Sequence, residues 1–144
     1  MGELSKDIIT AQVANLTTAG TSAHNSSVVD MSGAEGVRFV VPITAALATS
    51  VVTAQAYEGA TTAAFNATSG TATITATTDT SGNNTVMVVD VYKPNDRYVQ
   101  LRTTRATANA TLGAIVAEKY GIAKTPVAQD SSVIASSIAV SPTT

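Results

Sequence analysis

Apolar and polar positions alternate through much of the chain. Val37, Phe39 and Val41 fall on one face of a run whose other face holds Arg38 and Val40. Val52, Ala54 and Ala56 are set against Thr53, Gln55 and Tyr57, and Ala72, Ile74 and Ala76 against threonines. Successive strand side chains point to opposite faces, so a period of two marks half-buried strands. Strands are accordingly predicted over residues 37–43, 50–58 and 71–77. A brief strand is predicted over 28–31 and a first one over 8–16, where a short helix competes. The buried face of the 50–58 run is open, because Val51 sits with the wetter residues.

The stretch from Val86 to Arg105 organises the rest. It reads VMVVDVY, then KPND, then RYVQLRTTR. Met87, Val89 and Val91 share one face of the first run, and Val99 and Leu101 one face of the second. Pro94, Asn95 and Asp96 supply turn chemistry between them, so the stretch predicts a packed antiparallel pair. Pro42 cannot donate to a strand ladder and suggests an edge or a strand end. Residues 59–70 predict a long loop of small residues anchored by Phe65. Residues 111–120 fit two periods. Leu112, Ile115, Val116 and Tyr120 have helical spacing with Gly121 as a cap, whereas Leu112, Ala114 and Val116 share a strand face. The all-β surroundings favour the strand. From Ile122 onward the apolar residues are sparse, as in an arm that docks on something.

Composition agrees with this pattern. Charged residues are 12% of the 144, about half the usual share. Threonine and valine, both common here, suit a pleated surface. One domain spans 1–144, with a core over about 8–121 and a C-terminal arm over 122–144. The fold class is all-β: an antiparallel β-sandwich with extended terminal arms, jelly-roll by strand count, with a Greek-key sandwich equally allowed by the pattern. The net charge of −2 argues against nucleic-acid binding, which needs basic stripes. The chain has no cysteine, and therefore no disulfide framework or thiolate metal site. Residues 1–10 lack the apolar core of a secretory signal, and no run is apolar enough to span a bilayer, so no membrane partner is expected.

Little points to catalysis. His24, the lone histidine, sits in a Ser/Asn stretch and is expected to be a solvent-exposed loop residue. No serine occupies a G-x-S-x-G elbow. Glu35, Glu58, Asp79, Asp90 and Glu118 are scattered over turns and strand ends, and the S-G-A-E-G around Gly33 and Gly36 is a turn rather than a phosphate loop. Five N-x-[ST] matches are expected by chance in so Thr- and Ser-rich a chain. No enzyme activity, cofactor or metal is expected. The informative cluster is Asp90, Lys93, Asp96, Arg97, Arg102 and Arg105, within one short stretch of a charge-poor chain. Surface ion pairs contribute little stability, and arginine suits protein interfaces. The candidate interface residues are therefore Arg38, Arg97, Arg102 and Arg105, with Val127, Val133, Ile134 and Ile138 of the arm.

Three segments in order, SSVVDMSGAEGVRFVV (Ser26 to Val41), DVYKPNDRYVQLRTTRATANA (Asp90 to Ala110) and AIVAEKYG (Ala114 to Gly121), resemble the capsid cement, or decoration, proteins of tailed bacteriophages. The chain departs from that pattern at Gln100 to Arg102, where an arginine would directly follow R-Y-V. The resemblance implies a jelly-roll virion protein on the outer surface of an icosahedral head, cementing adjacent major capsid subunits against internal DNA pressure. Its implied partners are the major capsid protein and further copies of itself, a homodimer before a trimer. The competing readings are another virion component, of the tail, connector or fibre base, and a carbohydrate-binding β-domain.

Overall fold

A computed structural model of the chain describes residues 4–77 and 80–139, with nothing stated for the side chains of 69, 70 and 72. Asp79 and Val140 lie outside the described residues. The chain opens with a one-turn helix, α1 (Leu4–Asp7), followed by β1 (Ile9–Ala14), β2 (His24–Asn25), β3 (Val29–Asp30) and β4 (Gly36–Ala46). The remaining strands are β5 (Val51–Gly59), β6 (Asn66–Thr75), β7 (Thr85–Tyr92), β8 (Tyr98–Ala106), β9 (Ala110–Leu112) and β10 (Ile115–Tyr120).

The strands form two antiparallel five-stranded sheets. Sheet A runs β1-β10-β4-β7, with β9 also on β4; sheet B runs β2-β8-β5-β6, with β3 also on β8. The pairings nest. β1 pairs with β10, β2 and β3 with β8, β4 with β7, and β5 with β6. A long hairpin rolled up on itself produces this nesting, which is the jelly roll. The resemblance implied that topology, and the strand count had left it open.

The core lies between the sheets. Val37, Phe39, Val41 and Ile43 of β4 face Val52, Ala54 and Ala56 of β5 and Val99 and Leu101 of β8, all fully buried or nearly so. The open choice over 50–58 is thus resolved: the small residues face inward. Burying side chains the size of Phe39, Leu101, Leu112 and Ile115 stabilises by roughly 1.5–3 kcal/mol each.

Three expectations are corrected and a fourth is refined. The 86–105 stretch is not a hairpin: β7 pairs with β4 in one sheet and β8 with β5 in the other. The 93–97 turn, with Lys93 at φ 49°, carries the chain across the sandwich. Period two identifies a half-buried strand but not the sheet it joins. Second, Pro42 lies in a central strand, opposite Val86. Its carbonyl accepts from Gly113 N–H (2.8 Å), at the break between β9 and β10. The N–H and C=O of one strand residue point to the same side, so the donor that Pro42 lacks would face this break. Third, β6 begins at Asn66, so the preceding loop is short. Fourth, 111–120 is strand, as favoured, but interrupted at Gly113 and Ala114.

The terminal segments also differ from free arms. The predicted first strand is β1, the edge of sheet A. The C-terminal segment runs beside that edge. Thr10 N–H donates to Gln129 Oε1 and Gln12 N–H to Ser132 Oγ, each at 2.9 Å. Gln129 Nε2 donates to the carbonyls of Ser5 (3.0 Å) and Ile8 (2.7 Å), and Val127 N–H to that of Lys6 (2.9 Å). Side chains thus stand in for the missing strand. Gln129→Ala is expected to lower the unfolding free energy by about 1–2 kcal/mol, read by urea denaturation. An unchanged midpoint would show that the clamp is unimportant.

Candidate functional site

The two outer sheet faces differ in chemistry. On sheet A, outward-facing residues stand in cross-strand rows. One row is Val116, Val40 and Val88; beside it lie Pro42 and Val86. The next row is charged: Thr10, Glu118, Arg38 and Asp90. The last is Tyr120, Gly36 and Tyr92. Val86 and Val88 are 58% and 45% exposed, and Val40, Pro42 and Val116 half-buried. Together they form a contiguous apolar patch, of the kind that marks interaction surfaces.

The charged row is internally engaged. Arg38 Nε lies 3.9 Å from Glu118 Oε1, and the Tyr120 hydroxyl donates to Asp90. Burial, then the bond to Asp90, pushes the Tyr120 hydroxyl up to about 12. Gly36 permits this arrangement: a Cβ there would sit 2.3 Å from the Tyr120 ring.

Sheet B presents arginines over rings. The Arg102 guanidinium lies 4.3 Å from the Tyr57 ring centre and 5.6 Å from that of Phe65, with Nε donating to Gln100 Oε1 (3.1 Å). Arg97 lies 5.2 Å from the Tyr98 ring and binds Asp30 through two bonds of 2.9 Å. Those bonds hold the Asp30 carboxyl down at about 2. Tyr57 and Tyr98 thus each carry a guanidinium over the ring.

The predicted arginine cluster is therefore divided. Arg38 is on the outer face of sheet A, and Arg97 and Arg102 on the sheet B side. Arg105 points inward and is 6% exposed, which removes it from any surface patch. Its guanidinium donates to Ser22 O (2.8 Å), Ser22 Oγ (2.9 Å), Thr17 Oγ1 (3.2 Å), Thr18 O (2.8 Å) and Ala110 O (2.7 Å). It ties the 15–23 connector to the start of β9. The signal was legible: Arg105 has the parity of Val99 and Leu101, and Arg102 the opposite one. Of the arm residues, Val127 and Val133 are half-buried on their own chain, whereas Ile134 is 98% exposed and Ile138 also exposed.

His24 is not a solvent-exposed loop residue. It is half-buried in β2 opposite Thr103, and its Nε2 is buried without a partner among the described residues. Burial first, and then Arg105, lower its pKa from 6.5 against a smaller opposing backbone contact with Asn15. A depressed folded-state pKa means that this stability is present above 6.5 and lost as pH falls through the lowered value. Wild type is expected to lose more stability than His24→Gln between pH 7 and pH 5, read by denaturation at both. Parallel losses would exclude His24 as the source.

Among the described residues no group of three or more His, Cys, Asp or Glu side chains is placed to hold a metal ion, and no helix is long and apolar enough to cross a membrane. Glu58 accepts from Asn95 N–H (2.9 Å) at the rim of a groove of about 550 Å³ between the β6 and β7 edges.

No family model matches the chain, and no curated protein does. Among solved structures it is similar to "PBSX exported protein XepA", at 14% identity and TM-score 0.49, covering 99% of this chain but 46% of that one. It is also similar to a structure described as "CBM4 structure and function", at 9% identity and TM-score 0.42, covering 85% of this chain and 88% of that one. The chain thus spans about half the length of the XepA chain.

Proposed function

We propose that the protein is a structural virion protein that binds the outer surface of a phage head and cements adjacent major capsid subunits. The observation that carries a binding role is the apolar patch of Val40, Pro42, Val86, Val88 and Val116 on a rigid sheet face. The three sequence segments that resemble capsid cement proteins supply the partner. The role is passive: each copy buries apolar area across a seam between capsid subunits, and many copies together resist internal pressure. The charged row beside the patch, with Arg38 and Asp90, gives the contact an orientation. The guanidinium groups over Tyr57 and Tyr98 cover ring surface that a sugar would need for stacking, which favours this reading over a carbohydrate-binding one.

The test is binding of purified protein to heads that lack it, followed by sedimentation and a copy count. Saturable binding over the whole shell, with raised resistance to heat or osmotic shock, is the expected result. Binding of a few copies at one vertex would instead indicate a tail or connector component, and no binding would reject a virion role on the head.

A further inference from the structure

The edges of the two sheets are treated unequally. The β1 edge of sheet A is covered by the chain's own Gln129 and Ser132. In sheet B, one edge is divided between β2 and β3, two residues each, and the β5–β6 ladder is broken by an irregularity between Gln55 and Tyr57. β7 differs. It is eight residues long and pairs with β4 from Thr85 to Tyr92 without a register shift. It contains no proline and no lysine, the devices that usually protect an edge.

The pairing on its inner side shows which groups it offers outward. Pro42 turns its carbonyl away from β7, toward Gly113. By alternation Val40, Arg38 and Gly36 do the same, so their partners in β7 stand in non-hydrogen-bonded pairs. Val86, Val88, Asp90 and Tyr92 therefore direct N–H and C=O to the open side, and among the described residues no backbone bond closes it. The same four residues carry the outward side chains. A groove lined by Ala67, Thr68 and Val89 to Lys93 runs along the C-terminal half of this side.

We infer that β7 pairs antiparallel with β7 of a second copy about a twofold axis at Val88, making one continuous sheet from the two A sheets. A strand paired with its own copy is self-complementary under twofold symmetry. Charge selects the register. Centring on Asp90 would oppose two carboxylates directly, and centring on Val89 would leave them on the diagonal, still near. Centring on Val88 sets Val88 against Val88 of the second copy and Val86 against Asp90 of the second copy. The two carboxylates are then four residues apart along the strands, about 14 Å. It also joins the two apolar patches across the seam. The inference stands on the edge and not on the capsid reading, and it is tested without heads.

The chain has no cysteine, so single cysteines report the register directly. Val88→Cys is expected to form a reducible dimer under mild oxidation, because opposed strand residues lie within disulfide reach. Val86→Cys is expected not to. By sedimentation the wild type is expected to be a dimer, and Val88→Lys a monomer of unchanged circular dichroism with association weakened at least tenfold. The near-isosteric cysteine variants decide the matter if the lysine variant fails to fold. A wild type that stays monomeric up to about 100 µM, where a dimer of Kd near 1 µM is mostly assembled, would overturn the inference. So would cross-linking through Val86→Cys rather than Val88→Cys. A dimer lost on removing 134–144 but kept in Val88→Lys would assign the contact to that segment instead.

Discussion

Replacing Arg105 with methionine is expected to lower the unfolding free energy by about 3 kcal/mol and the melting temperature by roughly 10 °C. Methionine keeps most of the volume but leaves the carbonyls of Thr18 and Ser22 without this donor, and that of Ala110 with the Gly20 N–H alone. Bonds to a charged donor contribute more than neutral ones, so losing several at part-buried acceptors costs more than the net worth of one hydrogen bond. The loss is also local in origin. Gly20 exchanges backbone bonds with Ala110, Thr17 N–H donates to Leu112 O and Leu112 N–H to Thr17 Oγ1, and the guanidinium holds that connector from inside. Hydrogen exchange is therefore expected to rise first at the Thr17 and Gly20 amides. Lysine is expected to recover less than half of the loss, because one ammonium cannot replace a planar five-donor fork. A change within 0.5 kcal/mol for Arg105→Met, an exposed-site magnitude, would show that the connector is held by other means.

Arg105 also shows how far the sequence could be read. The alternation that identified 97–105 as a strand already placed residue 105 on the face of Val99 and Leu101. Proximity in sequence groups the arginines into one cluster, but that parity divides them. The strands with a small or branched inner face, 37–43 and 50–58, were legible because burial is periodic there. The crossing between β7 and β8 was not, because pattern reports a face and not a neighbour. Pro42 misled for a related reason: its compatibility with a central strand depends on the Gly113 break in the adjacent strand, more than 70 residues away in sequence. The candidate surface was the least legible part. Val40, Pro42, Val86, Val88 and Val116 come from three strands and become one patch only through the β10-β4-β7 order. Val127 and Val133 looked like free arm residues because nothing local shows that Gln129 and Ser132 cap β1.

Attachment to heads should fall by at least 100-fold, about 3 kcal/mol, when Val40→Lys and Val116→Glu are combined. The two positions are direct cross-strand partners on the outer face of sheet A. Opposite charges there can pair, which keeps the sheet stable, while desolvating them against an apolar partner is costly. Both sit on strands inside the sheet rather than on β7, so self-association should persist and isolate the face as the cause. Arg102→Ala on the other sheet should leave attachment within about threefold, since surface substitutions outside an interface change energies by under 1 kcal/mol. Circular dichroism and sedimentation of both variants confirm that fold and assembly are intact before binding is compared. The reverse result, normal attachment of the double variant and loss with Arg102→Ala, would move the contact to sheet B. There Arg102, packed on Tyr57 and Phe65, would be the anchor, because a guanidinium already held by aromatic rings loses little further freedom on binding.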